Sequence, residues 1–387
     1  MSNKCILHAI TDSSKMSFAS FFSNGDGTFN FVHSNYNTTT THVNMFAMDA
    51  NGDKLSDVFQ LSVYNSNTTS FITYLSQGGG VFNPISTEYP LMVGSYQHIF
   101  PMDIDGDGRQ DILGARVTGG TLYLDSYFSQ GDGSFKQLIN YSTKDYYIIK
   151  LFPMDINNDG RQDIVQATYS TVGLLVLISY LSNGDGTFES VKNYYSVDDN
   201  IFYMAPLNIN DDTYMDIVHM TSMGSSTTLM GFTSYLSHGD GTFKQIYNVY
   251  EGNVPAISYS YAAEAGAQAL FTMSSGYTDT NILEDIKIYN GKDYDYQFLD
   301  YVSQGNGEFK LVITSYISHS VQGAVILDVN GDGRSDIVQT GSSGGYMEFY
   351  TFLANSDGSF DGPISSVYTP ELDCVSSKCV IFPMDFC

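Results

Sequence analysis

The sequence predicts an all-β fold, a seven-bladed β-propeller of four-stranded blades, on the basis of two repeated motifs. A Gly-rich motif, Ser-Asn-Gly-Asp-Gly-Thr-Phe in its first copy, occurs seven times in the 387 residues, and a carboxylate-rich loop recurs in phase with it. A four-stranded unit repeated in this way is typical of a propeller, and a β-sandwich would not show a fixed period. Copies of the Gly-rich motif end at Phe29, Phe82, Phe135, Phe188, Phe243, Phe309 and Phe360, at spacings of 53, 53, 53, 55, 66 and 51 residues.

Each repeat contains four predicted strands, which we call A, B, C and D. Strand A precedes the carboxylate loop and strand B follows it, while strands C and D flank the Gly-rich turn. Residues 177–181, Leu-Ile-Ser-Tyr-Leu, illustrate the apolar strand C. The Asn-Gly-Asp-Gly core favours a hairpin, because glycine readily adopts the positive φ of tight turns. We therefore interpret the Asp residues of this turn as structural.

The carboxylate loop is clearest in residues 100–113, Phe-Pro-Met-Asp-Ile-Asp-Gly-Asp-Gly-Arg-Gln-Asp-Ile-Leu. Four carboxylates so close together repel one another unless a cation lies between them, and Ca²⁺ takes six to eight oxygen ligands at about 2.3–2.6 Å. Position 12 of the loop is Gly114 rather than Glu and the flanks resemble strands, so the loop is not an EF-hand. The predicted ligands at positions 1, 3, 5 and 9 are Asp103, Asp105, Asp107 and Asp111.

Four more loops place Asp or Asn at the same positions, which predicts three well-formed Ca²⁺ sites and up to five. Gly108, Gly160 and Gly333 occupy position 6 in three of the five loops, whereas Lys54 and Thr213 replace it in the other two. The loop that begins at Asn208 lacks a charge at position 1 and should bind most weakly. The further predicted ligands are Asp49, Asn51, Asp53 and Asp57; Asp155, Asn157, Asp159 and Asp163; Asn208, Asn210, Asp212 and Asp216; and Asp328, Asn330, Asp332 and Asp336.

The sixth repeat departs from this pattern. An insertion at residues 252–266 follows the fifth Gly-rich turn, and Ser274 then takes loop position 1. We expect a long loop that ends where strand B restarts at Asp285, and no conventional calcium site there.

The two ends of the chain are predicted to complete one blade. The last residues read as a strand A that ends at Asp385, and Cys5 lies 24 residues before Phe29, as Asp111 lies 24 residues before Phe135. The N-terminal strands B–D should therefore pair with the C-terminal strand A. This pairing removes two open sheet edges and makes residues 1–387 a single domain.

The same register predicts a disulfide at the split seventh loop. Cys5 falls at position 9 and Cys387 at position 3, where the other loops present ligands to one ion. Cys374 and Cys379 could form a second bridge, and four free thiols are the alternative. Disulfides and calcium both indicate an oxidising compartment, so we expect an extracellular or cell-surface protein, although residues 1–10 show no secretory signal.

Composition and motifs exclude several classes of function. The net charge of −26 argues against a nucleic-acid partner, and no apolar run approaches the length of about 18 residues that a membrane span needs. The seven His residues show no HExxH spacing, and neither a Gly-x-Ser-x-Gly elbow nor a P-loop occurs. We expect a binding protein rather than an enzyme, with a glycan-active carboxylate pair as the third alternative.

The segment Asp103-Ile-Asp-Gly-Asp-Gly-Arg-Gln-Asp-Ile-Leu, with Gln130-Gly-Asp-Gly-Ser-Phe, resembles the FG-GAP/VCBS repeat. That repeat builds the integrin α-subunit propeller, integrin-like fungal lectins and the propellers of bacterial toxin-complex proteins. The resemblance covers nearly the whole chain and implies calcium at the Asp103, Asp155 and Asp328 loops. It implies adhesion, sugar binding or scaffolding, but transfers no ligand-binding residue.

Irregular segments on the face opposite the calcium loops are rich in Tyr, His and short polar groups. This mixture suits sugars, whose apolar faces stack on rings, and it also suits a protein partner. The alternative is that these tyrosines pack between blades. Our leading hypothesis is a lectin or adhesin, and the second is a protein-interaction scaffold in a toxin or surface assembly. The candidate ligand-binding residues are Tyr96, His98, Tyr146, Tyr147, Tyr259, Tyr261 and His319.

Overall fold

The computed structural model is entirely β within the residues that it describes. These form 28 strands, numbered in chain order, in seven four-stranded antiparallel sheets. The described residues are 4–12, 15–37, 42–64, 68–90, 96–145, 147–196, 203–210, 212–222, 229–251, 270–274, 280–289, 294–303, 309–316, 321–343, 346–368 and 378–385.

The first four blades contain the N-terminal half of the chain and its last strand. Blade 1 consists of β28 (Lys378–Asp385), β1 (Lys4–Asp12), β2 (Lys15–Ser23) and β3 (Phe29–Asn37). Blade 2 consists of β4 (His42–Met48), β5 (Asp57–Tyr64), β6 (Thr68–Ser76) and β7 (Phe82–Pro90). Blade 3 consists of β8 (His98–Met102), β9 (Asp111–Thr118), β10 (Thr121–Ser129) and β11 (Phe135–Thr143). Blade 4 consists of β12 (Lys150–Met154), β13 (Asp163–Tyr169), β14 (Leu175–Ser182) and β15 (Phe188–Tyr195).

The last three blades follow the same order. Blade 5 consists of β16 (Tyr203–Leu207), β17 (Asp216–Ser222), β18 (Leu229–Ser237) and β19 (Phe243–Glu251). Blade 6 consists of β20 (Leu270–Ser274), β21 (Thr280–Tyr289), β22 (Tyr294–Ser303) and β23 (Phe309–Tyr316). Blade 7 consists of β24 (Val321–Leu327), β25 (Asp336–Ser343), β26 (Tyr346–Ala354) and β27 (Phe360–Tyr368).

The blades form a ring whose innermost strands are the A strands. β28 contacts both β24 and β4, and β8 contacts both β4 and β12. In blade 1, β28 pairs antiparallel with β1, with Cys5 opposite Met384 and Leu7 opposite Phe382. The predicted propeller and its closure by the two chain ends are therefore confirmed.

The core lies between blades rather than within one sheet. Where their side chains are described, strands B and C are largely buried on both faces, as in β14, whereas only one face of β15 is partly covered because it is an outer strand. The Phe that ends each Gly-rich motif is buried and packs on the preceding blade; Phe135 contacts Phe59 and Phe71 of blade 2 edge-on. Burying one such ring stabilises the folded state by about 1.5–3 kcal/mol. The Phe residues of the seven motifs therefore stabilise the contacts between adjacent blades.

Strand B of blade 6 begins earlier than the sequence predicts. Met273 pairs with Asn281, as Met102 pairs with Asp111 in blade 3, so the strand starts at Thr280 and the expected restart at Asp285 is wrong. The backbone register matches that of blade 3: Ile282 lies opposite Tyr301, as Ile112 lies opposite Tyr127. A shift of one residue would turn every side chain to the other face, so the register with the neighbouring strands, rather than the nearest Asp, defines where the strand begins. The insertion at 252–266 lies outside the described residues.

Candidate metal-binding loops

The carboxylate of the position-1 aspartate accepts hydrogen bonds from backbone N–H groups of its own loop. The Gly106 N–H donates to Asp103 Oδ1 (2.7 Å) and the Gly108 N–H to Asp103 Oδ2 (2.9 Å). Gly108 has φ +85°, a left-handed conformation that costs glycine no steric energy. The Asp49 and Asp328 loops repeat this pair of bonds at positions 4 and 6, and both carboxylate oxygens of Asp155 also accept backbone N–H groups of their own loop.

The aspartate at position 9 ties the loop to the end of strand C. Asp111 is buried, and its Oδ2 and Oδ1 accept the N–H groups of Ile104 (3.0 Å) and Ser129 (2.7 Å). Asp57, Asp163, Asp216 and Asp336 accept the corresponding two bonds in their own blades.

Burial has the largest effect on the pKa of these position-9 carboxyls. Desolvation raises the pKa of Asp57, Asp111 and Asp163 to about 7 and the pKa of Asp216 and Asp336 to about 6. The two backbone N–H bonds lower each pKa by less than burial raises it, and nearby carboxylates raise it further. A cation placed among these oxygens would favour the charged form.

Asp103, Asp105 and Asp111 form the tightest cluster of candidate ligands. Each can offer a carboxylate oxygen, and the three oxygens lie within 4.8 Å of one another. Oxygens at such separations can reach a common ion at the distances of about 2.3–2.6 Å that Ca²⁺ requires. Across the described ranges, no other three His, Cys, Asp or Glu side chains meet this spacing.

The remaining predicted ligands are partly engaged by neighbours. Asp107 forms an ion pair with Arg109 and is not part of the cluster of three. Arg161 and Arg334 pair in the same way with Asp159 and Asp332. At position 3, the amide groups of Asn51, Asn157, Asn210 and Asn330 donate to the position-5 carboxylates Asp53, Asp159, Asp212 and Asp332. The arginine at position 7 is a signal in the sequence that our ligand assignment did not use.

Hydrogen bonds from one blade hold the loop of the preceding blade, through both the backbone and the side chain of a glutamine. The Gln162 N–H donates to the Asp103 carbonyl (2.6 Å), and the Asp103 N–H donates to Gln162 Oε1 (2.8 Å). Gln110 makes the same two bonds to Asp49, at 2.8 and 2.7 Å. A serine hydroxyl at the end of strand C adds a second link, from Ser182 to the Ile104 carbonyl (2.8 Å). Hydrogen bonds therefore link the carboxylate loops of blades 2, 3 and 4 to one another.

The Gly-rich turns have the structural role that the sequence indicates. Asp132 Oδ1 accepts both the Ser134 N–H (3.0 Å) and the Ser134 hydroxyl (2.6 Å). These hydrogen bonds lower the pKa of Asp132, since they stabilise its charged form. Asp26, Asp185, Asp240 and Asp357 accept equivalent bonds from the residue two positions later.

The candidate ligand-binding residues lie in different environments. The Tyr96 ring packs over Gly114, and its hydroxyl contacts Tyr127 and Asp125, so this tyrosine fills the space between blades. His98 is half-buried, and burial followed by the charge of Lys150 lowers its pKa. Tyr147 is 63% exposed. Tyr146, Tyr259, Tyr261 and His319 lie outside the described residues, as do Cys374, Cys387 and the side chain of Cys379.

A buried ion pair near Tyr96 was not predicted. Arg116 Nε lies 2.6 Å from Asp125 Oδ2, and the Arg116 guanidinium stands 4.3 Å from the centroid of the Tyr123 ring. The signal available in the sequence was an aspartate in the middle of an apolar strand C, out of phase with the carboxylate loops.

The comparisons with known proteins agree with this architecture. Residues 49–114 and 103–166 match the model of the FG-GAP-like repeat. Each match covers the carboxylate loops of two adjacent blades, with strands B to D of the first. The chain is therefore a seven-bladed β-propeller that carries FG-GAP-like repeats.

Two solved structures resemble the chain over most of its length. One is a variant of the apocarotenoid oxygenase of Synechocystis, which is 8% identical, has a TM-score of 0.42, and is matched over 96% of this chain and 93% of that chain. The other is the WD40 domain of SCAP from fission yeast, which is 11% identical, has a TM-score of 0.36, and is matched over 92% and 82%. Neither likeness bears on function. No curated protein matches the chain in sequence.

Proposed function

We propose that this propeller is a calcium-stabilised binding module. The observation that carries the calcium assignment is the cluster of Asp103, Asp105 and Asp111, whose oxygens can reach one ion. A second observation supports a cation in the loop that begins at Asn208. The Asn208 Oδ1 atom is buried without a hydrogen-bond partner, and a bound cation would give it one. The Asp49, Asp155 and Asp328 loops would hold further ions through their position-1 and position-9 carboxylates. The bound ions would compensate the like charge of each loop.

Calcium should stabilise the fold by mass action. An ion that binds only the folded chain contributes about 2.7 kcal/mol at one hundred times its dissociation constant. We expect chelation to lower the melting temperature and metal analysis of the dialysed protein to find three to five Ca²⁺ per chain. The variant Asp105→Asn should lose affinity in one loop only. An unchanged melt after chelation would refute the assignment.

We propose carbohydrate recognition as the activity, on the face opposite the metal loops. Tyr147 has an exposed ring and lies in the connection just before β12. The first residue of β12 is Lys150, whose charge lowers the pKa of His98. An exposed ring on the same connection as the polar residues Lys144 and Asp145 suits a sugar, whose hydroxyls and apolar face both need partners. The same surface could instead contact a protein, which is the second candidate function. We infer no catalytic role.

A glycan array separates the two candidates. The calcium-loaded protein should bind a restricted set of glycans, and Tyr147→Ala should abolish that binding. Tyr194→Ala is the matched control, because Tyr194 is also exposed, at 59%, but lies on the outer strand β15. Silence across a broad array would remove the lectin hypothesis and leave the scaffold.

We further propose that Cys5 and Cys387 form a disulfide in an extracellular or cell-surface protein. Cys5 is buried, has a bonding or contact partner, and lies opposite Met384, three residues before Cys387. It takes the place of Asp111, and position 3, where Cys387 falls, corresponds to Asp105. The carboxylate oxygens of that pair lie within 4.8 Å. Among the described residues, none forms a helix of the length and apolarity needed to cross a bilayer.

A further inference from the structure

The outermost strand of each blade presents one backbone edge that no strand of the same sheet covers. In all seven sheets this is strand D, which pairs with strand C on one side only. Such an edge can accept a further strand, and proteins usually protect it with Lys, with other charged residues or with Pro. The seven outer strands are therefore seven comparable edges within one molecule.

Of these seven strands, β3 alone lacks every protecting residue. It reads Phe-Asn-Phe-Val-His-Ser-Asn-Tyr-Asn, with no Asp, Glu, Lys, Arg or Pro. Each of the other six contains at least one. The protecting residues include Pro84 in β7, Lys136 in β11, Lys192 in β15, Lys244 in β19, Lys310 in β23 and Pro363 in β27.

The side chains of β3 are also more exposed at its start. In β15, partial burial begins at Val191 and then alternates with exposure, whereas all four residues 30–33 of β3 are exposed. Phe31 and Val32 are each 41% exposed and lie on opposite faces of the strand. Phe31 lies near Tyr368 of blade 7, with ring centroids 6.2 Å apart. Both faces of this edge therefore expose apolar area.

The Gly-rich turn beside Val32 departs from the repeat in the same direction. A Cβ added at Gly80 would lie 3.3 Å from the Val32 Cβ, so the turn of blade 2 packs next to this side chain. In that turn, Gly79 and Val81 replace the Asp and the Thr or Ser that five other turns carry. Val81 is 52% exposed. Two separate departures from the repeat thus make one segment of the rim apolar and uncharged.

A second copy of the chain is the occupant that this edge fits. Two copies with a net charge of −26 each repel one another, so they approach most easily where neither carries a charge. Pairing across a two-fold axis brings a strand against itself. It would place Lys136 of β11, or Lys310 of β23, near the same residue of the other copy, and like charges across strands are destabilising. In β3 no such pair arises.

We propose that β3 pairs antiparallel with β3 of a second copy, so that the two blades form one eight-stranded sheet across a two-fold axis. The pairing is centred on the exposed residues 30–33, which places Val32 close to Val32 of the partner subunit. Phe31 and Val81 lie beside this contact and lose exposure to water. The interface depends neither on calcium nor on the proposed glycan surface.

Analytical ultracentrifugation of the full chain tests this pairing. We expect the parent to sediment at twice the chain mass of 42.7 kDa, and Val32→Lys to weaken the dimer about ten-fold or more, because two ammonium groups then meet near the axis. Circular dichroism checks that the variant is folded. Val367→Lys is the matched control, because Val367 is 62% exposed on the outer strand β27, and it should dimerise like the parent.

A charge exchange tests the two-fold geometry. Val32→Glu alone should also weaken the dimer, and an equal mixture of Val32→Lys and Val32→Glu should restore it, because opposite charges then meet across the axis. A mixture that stays monomeric contradicts the pairing. A parent that remains monomeric at about 100 µM overturns the proposal and leaves an extended segment of another protein as the occupant. A dimer that persists in Val32→Lys, or a parent that forms larger species, also overturns it.

Discussion

At the scale of single residues, the position-9 aspartates combine two tasks. Each is a buried acceptor for two backbone N–H groups and a candidate metal ligand. A raised pKa follows directly from this placement, since the carboxyl has left water without an opposite charge beside it.

Replacing Asp111 with alanine should destabilise the fold even without metal. The change leaves the N–H groups of Ile104 and Ser129 without their acceptor in a buried environment, which costs about 2–4 kcal/mol in total. Urea unfolding in the presence of chelator measures this cost. Asp107→Ala is the control in the same loop, and its partly exposed pair with Arg109 should contribute less than about 1 kcal/mol. Equal losses in both variants would contradict the structural role.

His219 should make blade 5 sensitive to acid. It occupies the register position of Gln60 and Gln166 in other blades, where the Gln accepts a Tyr hydroxyl, but its Nε2 is buried without a hydrogen-bond partner. Burial lowers the pKa of His219 to about 4, from an ordinary value of 6.5. The folded state therefore resists protonation, so this contribution to stability is complete above about pH 6.5 and is lost as the pH falls towards 4.

The variant His219→Gln tests this acid sensitivity. Between pH 7 and pH 5, the free energy of unfolding of the parent should fall by about 1–2 kcal/mol more than that of the variant. Denaturant unfolding at both pH values, with chelator present, measures the difference. Parallel pH profiles would show that His219 does not titrate as proposed.

At the scale of elements, the loops of blades 2, 3 and 4 form a connected series. Gln110 and Gln162 each hold the backbone of the position-1 aspartate in the preceding blade. Blade 5 carries Met215 at this position, so the Asp155 loop lacks the equivalent side-chain acceptor. The conformation of one carboxylate loop thus depends on the loop of the following blade.

Gln162→Ala should weaken the Asp103 loop although it lies in another blade. We expect a loss of about 1–2 kcal/mol in unfolding free energy, because the Asp103 N–H loses its acceptor, and lower calcium affinity at that loop. Calorimetric titration with Ca²⁺ and urea unfolding provide the two readings. Gln130→Ala is the control and should change neither, because the Gln130 side chain donates to the Phe128 carbonyl of its own blade.

Local patterns predicted the blades well because each motif acts within about ten residues. The Gly-rich turns and the carboxylate loops depend on such short spacings, and the closing register follows from the 24-residue interval that Cys5–Phe29 shares with Asp111–Phe135. The contacts that the sequence did not reveal depend on how strands and blades pack: the bonds between Gln162 and Asp103, Tyr96 over Gly114, and the pair of Arg116 with Asp125, which lie nine residues apart on adjacent strands. Blade 6 shows the same limit, since β21 begins at Thr280, in register with β20 and β22, rather than at the nearest Asp.

At the scale of the whole molecule, stability depends on the join between the two ends. Cys387→Ser should lower the free energy of unfolding by about 6 kcal/mol in the chain-entropy model, because the predicted bond to Cys5 closes almost the entire chain. Thermal unfolding with and without reductant measures this effect. A variant with Ser at both Cys374 and Cys379 is the control and should keep the response to reductant. Equal melting of parent and Cys387→Ser would contradict the terminal bond.

The pairing of β1 with β28 also determines when the protein can finish folding. Roughly 370 residues separate the two strands, and a ribosome adds about 5–20 residues per second. For about 20–70 s, Ile6 and Leu7 therefore lack the strand that covers them in the finished ring. The nascent chain is an open-ended array with an uncovered sheet edge, the kind of species that aggregates or recruits chaperones. Ring closure therefore waits until β28 has been synthesised, and a truncation that removes only β28 leaves the first blade incomplete.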